Sequence, residues 1–199
     1  MCIRDRRSPD FTVVIGGDGT LYYYLDELEG SVLLIGSERS YRAQLSRGNW
    51  RKGILKAMKG RPVPLPILDV HKGRTHIGKA LNDVVFHSND HRVVSVDVSM
   101  NGKRLKFRGD GLIIATPFGS TAYSYSAGGK KLRLGSRSIA ITPICPCFRG
   151  ARPFTGKFSE VKVSVSRNAS LLLDGVRVKG ATRGTYVVRR GRGHIDYLQ

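Results

Sequence analysis

Two aspartates, each bracketed by glycines and each joined to an unbroken apolar run, constrain this chain more than any other feature. Gly16-Gly17-Asp18-Gly19-Thr20 follows Phe11–Ile15, and Gly109-Asp110-Gly111 precedes Leu112-Ile113-Ile114-Ala115. A strand-length run without polar alternation is one buried on both faces, as in a parallel sheet or a sandwich core. A Gly-rich turn at its end leaves backbone N–H groups bare. Such a turn can hold phosphate oxygens, and a carboxylate fixed in it can act on a hydroxyl beside them.

With 199 residues, 40% of them apolar, the chain can build one large domain or two small ones. Arg61-Pro62-Val63-Pro64-Leu65-Pro66 excludes a helix interior and favours an extended connector, so the expected boundary falls there. Residues 1–62 are expected to form an N-terminal α/β domain, with strands at Phe11–Ile15 and 32–35 and helices over 21–29 and 43–59. Residues 63–199 are expected to be β-rich, the last strand returning to the first domain. Val94, Val96, Val98 and Met100 alternate up to Asn101-Gly102, a hairpin turn pair, and residues 103–108 return. Val161, Val163 and Val165 alternate likewise, 171–173 meets a turn at Asp174-Gly175, and a last strand is expected around 186–189.

Lys plus Arg number 34 against 15 Asp plus Glu, and a net charge of +19 draws anions toward any cleft. The basic residues are spread along the chain and the aromatics do not interleave with them, which disfavours a nucleic-acid stacking platform. Cys2, Cys145 and Cys147 are too few for a disulfide framework, and Cys145-Pro146-Cys147 alone is no zinc site, so a reducing cytoplasm fits. His71, His76, His87, His91 and His194 lack ligand spacing and are expected in ordinary surface or hydrogen-bonded roles. No apolar stretch approaches the ~20 residues of a membrane span. The start, Met1-Cys2-Ile3-Arg4-Asp5-Arg6-Arg7, has no signal-peptide core and reads as a disordered end or the remnant of something longer.

Three segments carry chemistry. Gly16 to Thr20 has neither the Lys-Ser/Thr pair of a Walker loop nor the glycine spacing of the dinucleotide fingerprint, so it is another nucleotide-binding solution or a plain turn with Asp18 as cap. Asn82 and Asp83, side by side in an apolar stretch, can bind sugar hydroxyls or simply form a turn. From Gly109 to Gly129 a buried strand leads to Ser120, Thr121, Tyr123, Ser124, Tyr125 and Ser126. A helix beginning after Gly119 would aim free N–H groups and hydroxyls into one cleft, an environment suited to a ribose-diphosphate.

In this order and spacing the three segments resemble the NAD kinase family: its Gly-Gly-Asp-Gly-Thr signature, its Asn-Glu/Asp motif and its glycine-rich second signature. Ile141 to Pro146 and Leu173-Asp174-Gly175 resemble further family segments. The resemblance implies a mixed fold class, α/β plus all-β: a short Rossmann-like α/β domain, whole or truncated, followed by an NAD kinase-type β-sandwich domain. It implies phosphorylation of the adenosine ribose 2′-hydroxyl of NAD to give NADP, with ATP or polyphosphate as donor, Mg2+ or another divalent cation, and a dimer or tetramer as assembly. Asp18 would be the general base, with Gly16, Gly17, Gly19 and Thr20 beside the donor phosphates. Asn82 and Asp83 would contact adenosine, and Thr121, Ala122, Tyr123 and Ser126 would line the adenine and ribose pocket. Asp110 would lie toward the nicotinamide, with Arg108 pairing either a phosphate or Asp110. Magnesium would bridge phosphates without protein ligands.

The chain departs from the family pattern in the short stretch before Phe11, in the charged segment 35–40, and in Phe118 where a small hydroxyl residue is common. Two other functions fit parts of the sequence. One is a nucleotide-binding regulatory protein without turnover. The other is a lipid kinase, which shares the Gly-Gly-Asp-Gly-Thr turn but would want a wide apolar mouth.

Overall fold

A computed structural model describes residues 9–90, 92–166, 169–180 and 183–198. Cys2, the stretch 1–7 and His91 lie outside the described residues. The chain divides into two compact units, one running to Leu65 and resuming at His194, the other spanning Pro66–Gly193.

In the first unit, β1 (Phe11–Ile15) lies parallel to β2 (Ser31–Gly36), with Phe11 opposite Ser31 and Ile15 opposite Ile35. Helix α1 (Asp18–Tyr23) joins them and is followed by a single 3-10 turn, Leu25–Glu27. The helix expected over 21–29 therefore starts earlier, with the acidic Asp18 in its first turn where the helix dipole favours it. It breaks at Tyr24, so that Leu21 and Leu25 both turn inward while Asp26 and Glu27 stay exposed.

The single helix expected over 43–59 is instead a short strand, β3 (Leu45–Ser46), and a helix, α2 (Trp50–Met58). Leu45 supplied part of the helical spacing, but it pairs opposite Ile35 in the sheet. The Asn49 side chain accepts the Ser46 N–H at 2.7 Å and turns the chain from strand to helix. Leu33, Ile35, Leu45, Ala57 and Leu198 form this unit's core with Phe11 and Ile54. Near the C-terminus, Asp196 and Tyr197 run parallel to Ser31 and Val32.

The second unit is built from strands. In chain order they are β4 (Val63–Lys72), β5 (Thr75–Ala80), β6 (Asp83–Ser88), β7 (Val94–Met100), β8 (Lys103–Gly109) and β9 (Gly111–Ala115), followed by a one-turn helix α3 (Tyr123–Ser126). Then come β10 (Ser138–Ile144), β11 (Phe154–Lys157), β12 (Glu160–Val165), β13 (Ala169–Leu173), β14 (Val176–Arg177) and β15 (Gly184–Tyr197). One sheet has the order β11-β10-β9-β6-β13-β14 and is antiparallel throughout. In the other, β15, β12, β7 and β8 pair in turn, and the β4–β5 hairpin joins β15.

The inner faces of both sheets share one core. Val84, Phe86, Leu112, Ile114, Ile141 and Leu171 come from the first sheet, and Val96, Val98, Phe107, Val163, Tyr186 and Val188 from the second. Each such side chain contributes roughly 1.5–3 kcal/mol on burial. Val85, Ile113, Ala115, Ala140 and Ile144 form a second cluster with Ala127 and Leu132, so β6, β9 and β10 are apolar on both faces. That double burial is why Leu112 to Ala115 shows no alternation.

Both hairpin turns adopt left-handed backbone at their paired residues: Asn101 and Gly102 at φ 50° and 76°, Asp174 and Gly175 at φ 49° and 81°. The proline-rich stretch is extended, as expected, and it is the start of β4. The last strand runs fourteen residues, far beyond 186–189: Gly191, Gly193 and its arginines separate two buried alternations, Tyr186 with Val188 and Ile195 with Tyr197, that are out of phase by one residue.

Gly111 fixes the centre of the first sheet, since a Cβ there would lie 2.0 Å from the Phe86 carbonyl oxygen. Gly111→Ala is expected to lose about 3 kcal/mol or more in urea denaturation, the scale of overpacking against fixed backbone. Gly193→Ala, where a Cβ meets nothing within 4 Å, is expected to stay within ~0.5 kcal/mol.

Candidate functional site

In the second unit a cavity of about 410 Å³ brings two of the sequence segments together, Asn82 and Asp83 on one side and Ala122 and Tyr123 on another, with Asp174 and Gly175 beside them. Asp83 opens β6 opposite Ala115, the last residue of β9. Past β9, Thr116 donates its hydroxyl to the Leu81 carbonyl at 2.6 Å and its N–H to the Asn82 carbonyl at 3.0 Å. A Cβ on Gly119 would lie 2.0 Å from that same Asn82 oxygen. Only glycine lets the 116–119 turn close on Asn82 and deliver Ala122 and Tyr123 to the cavity.

Asp174 completes the wall. Its carboxylate accepts three consecutive backbone N–H groups, Leu81 at 2.7 Å, Asn82 at 2.6 Å and Asp83 at 3.0 Å. In return its own N–H donates to the Asp83 carbonyl at 3.0 Å. The Asn82 amide donates to the Asp83 carboxyl at 3.2 Å, and the Asn82 Oδ1 is buried without a hydrogen-bond partner.

Burial, and then the charge of Asp174, push Asp83 up from 3.8 to about 7. Burial also raises Asp174, against the lowering effect of its three backbone donors. Tyr123 is raised by desolvation and by Cys145, Asp110 and Asp83, so these groups share one electrostatic neighbourhood. Desolvation, followed by the hydrogen bond and charge of Asp110, raises the Cys145 thiol.

The remaining residues of the second signature are dispersed. The continuous helix expected after Gly119 is not formed: a 3-10 turn, Gly119–Thr121, and α3 are separated by Ala122 at φ −98°, ψ −128°. Among the described residues no long helix terminus faces the cavity. Two of the hydroxyls work internally: Ser120 donates to the Pro117 carbonyl at 2.8 Å and accepts the Leu132 N–H, and Ser124 pairs with Thr142 at 2.8 Å. Thr121 is half-buried, and Ser126 is exposed with its hydroxyl 3.4 Å from the Ala122 carbonyl. Tyr125 lies under the Lys131 ammonium, 4.3 Å from its ring centre. Phe118 is fully buried, so it packs where the family pattern has a hydroxyl. Asp110 is half-buried between β8 and β9, and Arg108 lines a separate cavity of about 610 Å³ beside Phe107, Cys147 and Phe148.

In the first unit, Asp18 sits at the start of α1 and is held by the loop after β2. Its carboxylate accepts the Ser40 hydroxyl, the Tyr41 N–H at 3.1 Å and the Arg42 N–H at 3.2 Å. The Tyr197 hydroxyl donates to the Arg42 carbonyl, which ties this loop to the C-terminal segment. Gly17 and Gly19 present backbone to open space, while Gly16 closes on the Thr20 side chain. The charged segment 35–40 thus leads into the loop that fixes Asp18. Sequence reasoning missed this grip, as it missed Asp174: a serine after a charged run and an aspartate in a hairpin turn carry no mark of the partners they reach.

A β-sandwich with this cavity defines a recognisable class: residues 81–198 match the family model of the ATP-NAD kinase C-terminal domain. The chain is 34% identical over 92% of its length to the NAD kinase of Thermomicrobium roseum, spanning 68% of that protein. It is 29% identical over 96% of its length to that of Methanocorpusculum labreanum, spanning 78% of it. A yeast NADH kinase solved with NADH superposes with a TM-score of 0.83 at 25% identity, covering 96% of this chain and 61% of that one. The chain belongs to the NAD kinase family.

The raised Asp83 makes stability depend on pH. An acid whose folded pKa is lifted to about 7 from 3.8 binds more protons folded than unfolded, so it destabilises progressively as pH rises through that window and fully above it. Asp83→Asn is therefore expected to melt higher than the parent at pH 8, by about 5 °C or more, with the gap closing toward pH 4 in thermal denaturation.

Proposed function

We propose that this chain is an NAD kinase that phosphorylates the adenosine ribose 2′-hydroxyl of NAD, giving NADP. The observation that carries the reading is the cavity, where the amide-carboxylate pair Asn82 and Asp83 meets Ala122 and Tyr123 from a distant part of the sequence. Asn82 and Asp83 take the adenosine: an ionised carboxylate accepts from hydroxyl or amine donors, and an amide both donates and accepts. Four polar side chains in the lining, Asn82, Asp83, His87 and Asp174, also favour a dinucleotide over the diacyl chains of a lipid acceptor. Thr121 and Ser126 extend the adenine and ribose contacts, and Asp110 serves the nicotinamide side, with Arg108 available to a phosphate.

Asp18 is the general base. Three donors on its carboxylate leave roughly one of its four lone-pair positions for the 2′-hydroxyl. The 2′-oxygen bonds to the terminal phosphorus of ATP or polyphosphate, the bridging P–O bond breaks, the shortened donor leaves, and the hydroxyl proton passes to Asp18. The open backbone at Gly17 and Gly19, with Gly16 and Thr20 shaping the turn, admits the donor phosphates.

Mg2+ would arrive with the donor phosphates and need no all-protein cage. When bound it neutralises charge on the transferring group. Among the described residues no helix is long and apolar enough to cross a membrane, and the two exposed free cysteines suit the reducing cytoplasm. The assembly is a homo-oligomer with the β-rich part at its interface, and its product places the chain in NADP biosynthesis.

The test is NADP formation from NAD with ATP or polyphosphate and Mg2+. The parent is expected to convert NAD, and Asp18→Asn to bind NAD but turn over ~10²-fold or more slowly, the scale of a lost general base. Binding without conversion in both proteins would support a regulatory role, and phosphorylation of diacylglycerol a lipid kinase.

A further inference from the structure

Asp174 stands in the second residue pair of the molecule that adopts an Asx-Gly left-handed turn, yet its side chain does something the turn does not require. At Asn101-Gly102 the Asn side chain donates to the Lys157 carbonyl, at the end of β11 in the other sheet. At Asp174-Gly175 the carboxylate instead stays in its own sheet and gathers the N–H groups of Leu81, Asn82 and Asp83, at the start of the adjacent strand and more than ninety positions earlier in sequence. Leu81 and Asn82 lie between β5 and β6 and Asp83 opens β6, and the N–H groups of all three point to this one carboxylate. A buried N–H without an acceptor is costly, and here one carboxylate answers all three.

We infer that Asp174 is a positioning residue for the adenosine contacts: by taking three consecutive backbone N–H groups it sets the direction in which Asn82 and Asp83 face the cavity they share with Tyr123. This rests on the assignment of that cavity to NAD. Asp174 touches no reacting group; it acts through the backbone of the residues that bind.

Its charge has a second effect on the same residues. Asp83 faces Asp174 from the β13–β14 turn, Tyr123 from α3 and His87 along β6, with Asp110 and Cys145 grouped around Tyr123. Among these, Asp174 is the group whose charge lifts Asp83, after burial. An amide at position 174 keeps the size and the left-handed turn, which Asn tolerates, but removes the charge. Its single oxygen accepts from Asn82 and Asp83, while its NH2 confronts the Leu81 N–H. One hydrogen bond to a charged group is lost and the other two weaken.

The experiment uses the full chain. In the parent, amide proton shifts of Leu81, Asn82 and Asp83 are expected to titrate together with the Asp174 carboxyl followed by 13C NMR; three independent profiles would overturn the hold itself. In folded Asp174→Asn, the Asp83 midpoint is expected to fall below that of the parent. Its Kd for NAD by calorimetry is expected to rise tenfold or more, with KM raised and kcat little changed. An unmoved Asp83 midpoint, or NAD affinity within twofold of the parent, would show that Asp174 is a turn residue only. Should Asp174→Asn not fold, the amide titration in the parent decides. Asn82→Ala separates the two readings: if it leaves NAD affinity unchanged, the cavity does not take adenosine, whereas the NMR readout of Asp174 stands or falls without any ligand.

Discussion

The candidate site depends on backbone meeting backbone where no side chain can intervene. Gly119 closes on the carbonyl of Asn82, Gly111 on that of Phe86, and Gly109 on those of Ile144 and Cys145, each at a distance that a Cβ would violate. These contacts pin β6, β9, β10 and the turn after β9 into one block. Side chains from residues forty positions apart then meet in a cavity without any of them having to search for the other. Preorganisation of this kind is what a binding site needs from its scaffold, because ordering the groups at the moment of binding would consume the affinity they supply.

Much of this was legible in the sequence, and for identifiable reasons. The unbroken run Leu112 to Ala115 announced a doubly buried strand, and the alternation from Val94 to Met100 with Asn101-Gly102 announced a hairpin in the correct register. The parallel start, β1 to β2, followed from two apolar runs separated by a helix-length segment. Other parts were hidden. Leu45 fits a helical stripe and a strand equally well, and tertiary pairing with Ile35 decided it. The glycines and arginines of β15 masked a strand of fourteen residues.

The site was half visible. Asn82, Asp83, Ala122 and Tyr123 do meet, but the abundance of hydroxyls after Gly119 misled in part, since Ser120 and Ser124 spend theirs on Pro117, Leu132 and Thr142. Composition shows how many donors a segment owns and says nothing of which are already committed. The grips on Asp18 by residues 40–42 and on residues 81–83 by Asp174 depend on long-range closure, which no local pattern encodes.

A chain with a net charge of +19 nevertheless keeps two carboxylates out of water in one small cavity. The surplus of positive charge lies on the surface, screened within about 8 Å at physiological salt, while the acids sit where screening fails and desolvation rules. Backbone dipoles, not lysines or arginines, answer Asp174, and for Asp83 the answer is a proton. An acid that rests half protonated near neutrality makes the hydrogen ion a competitor for the cavity. Any ligand that demands the anion must evict that ion first, so occupancy and the acidity of the surroundings become one equilibrium.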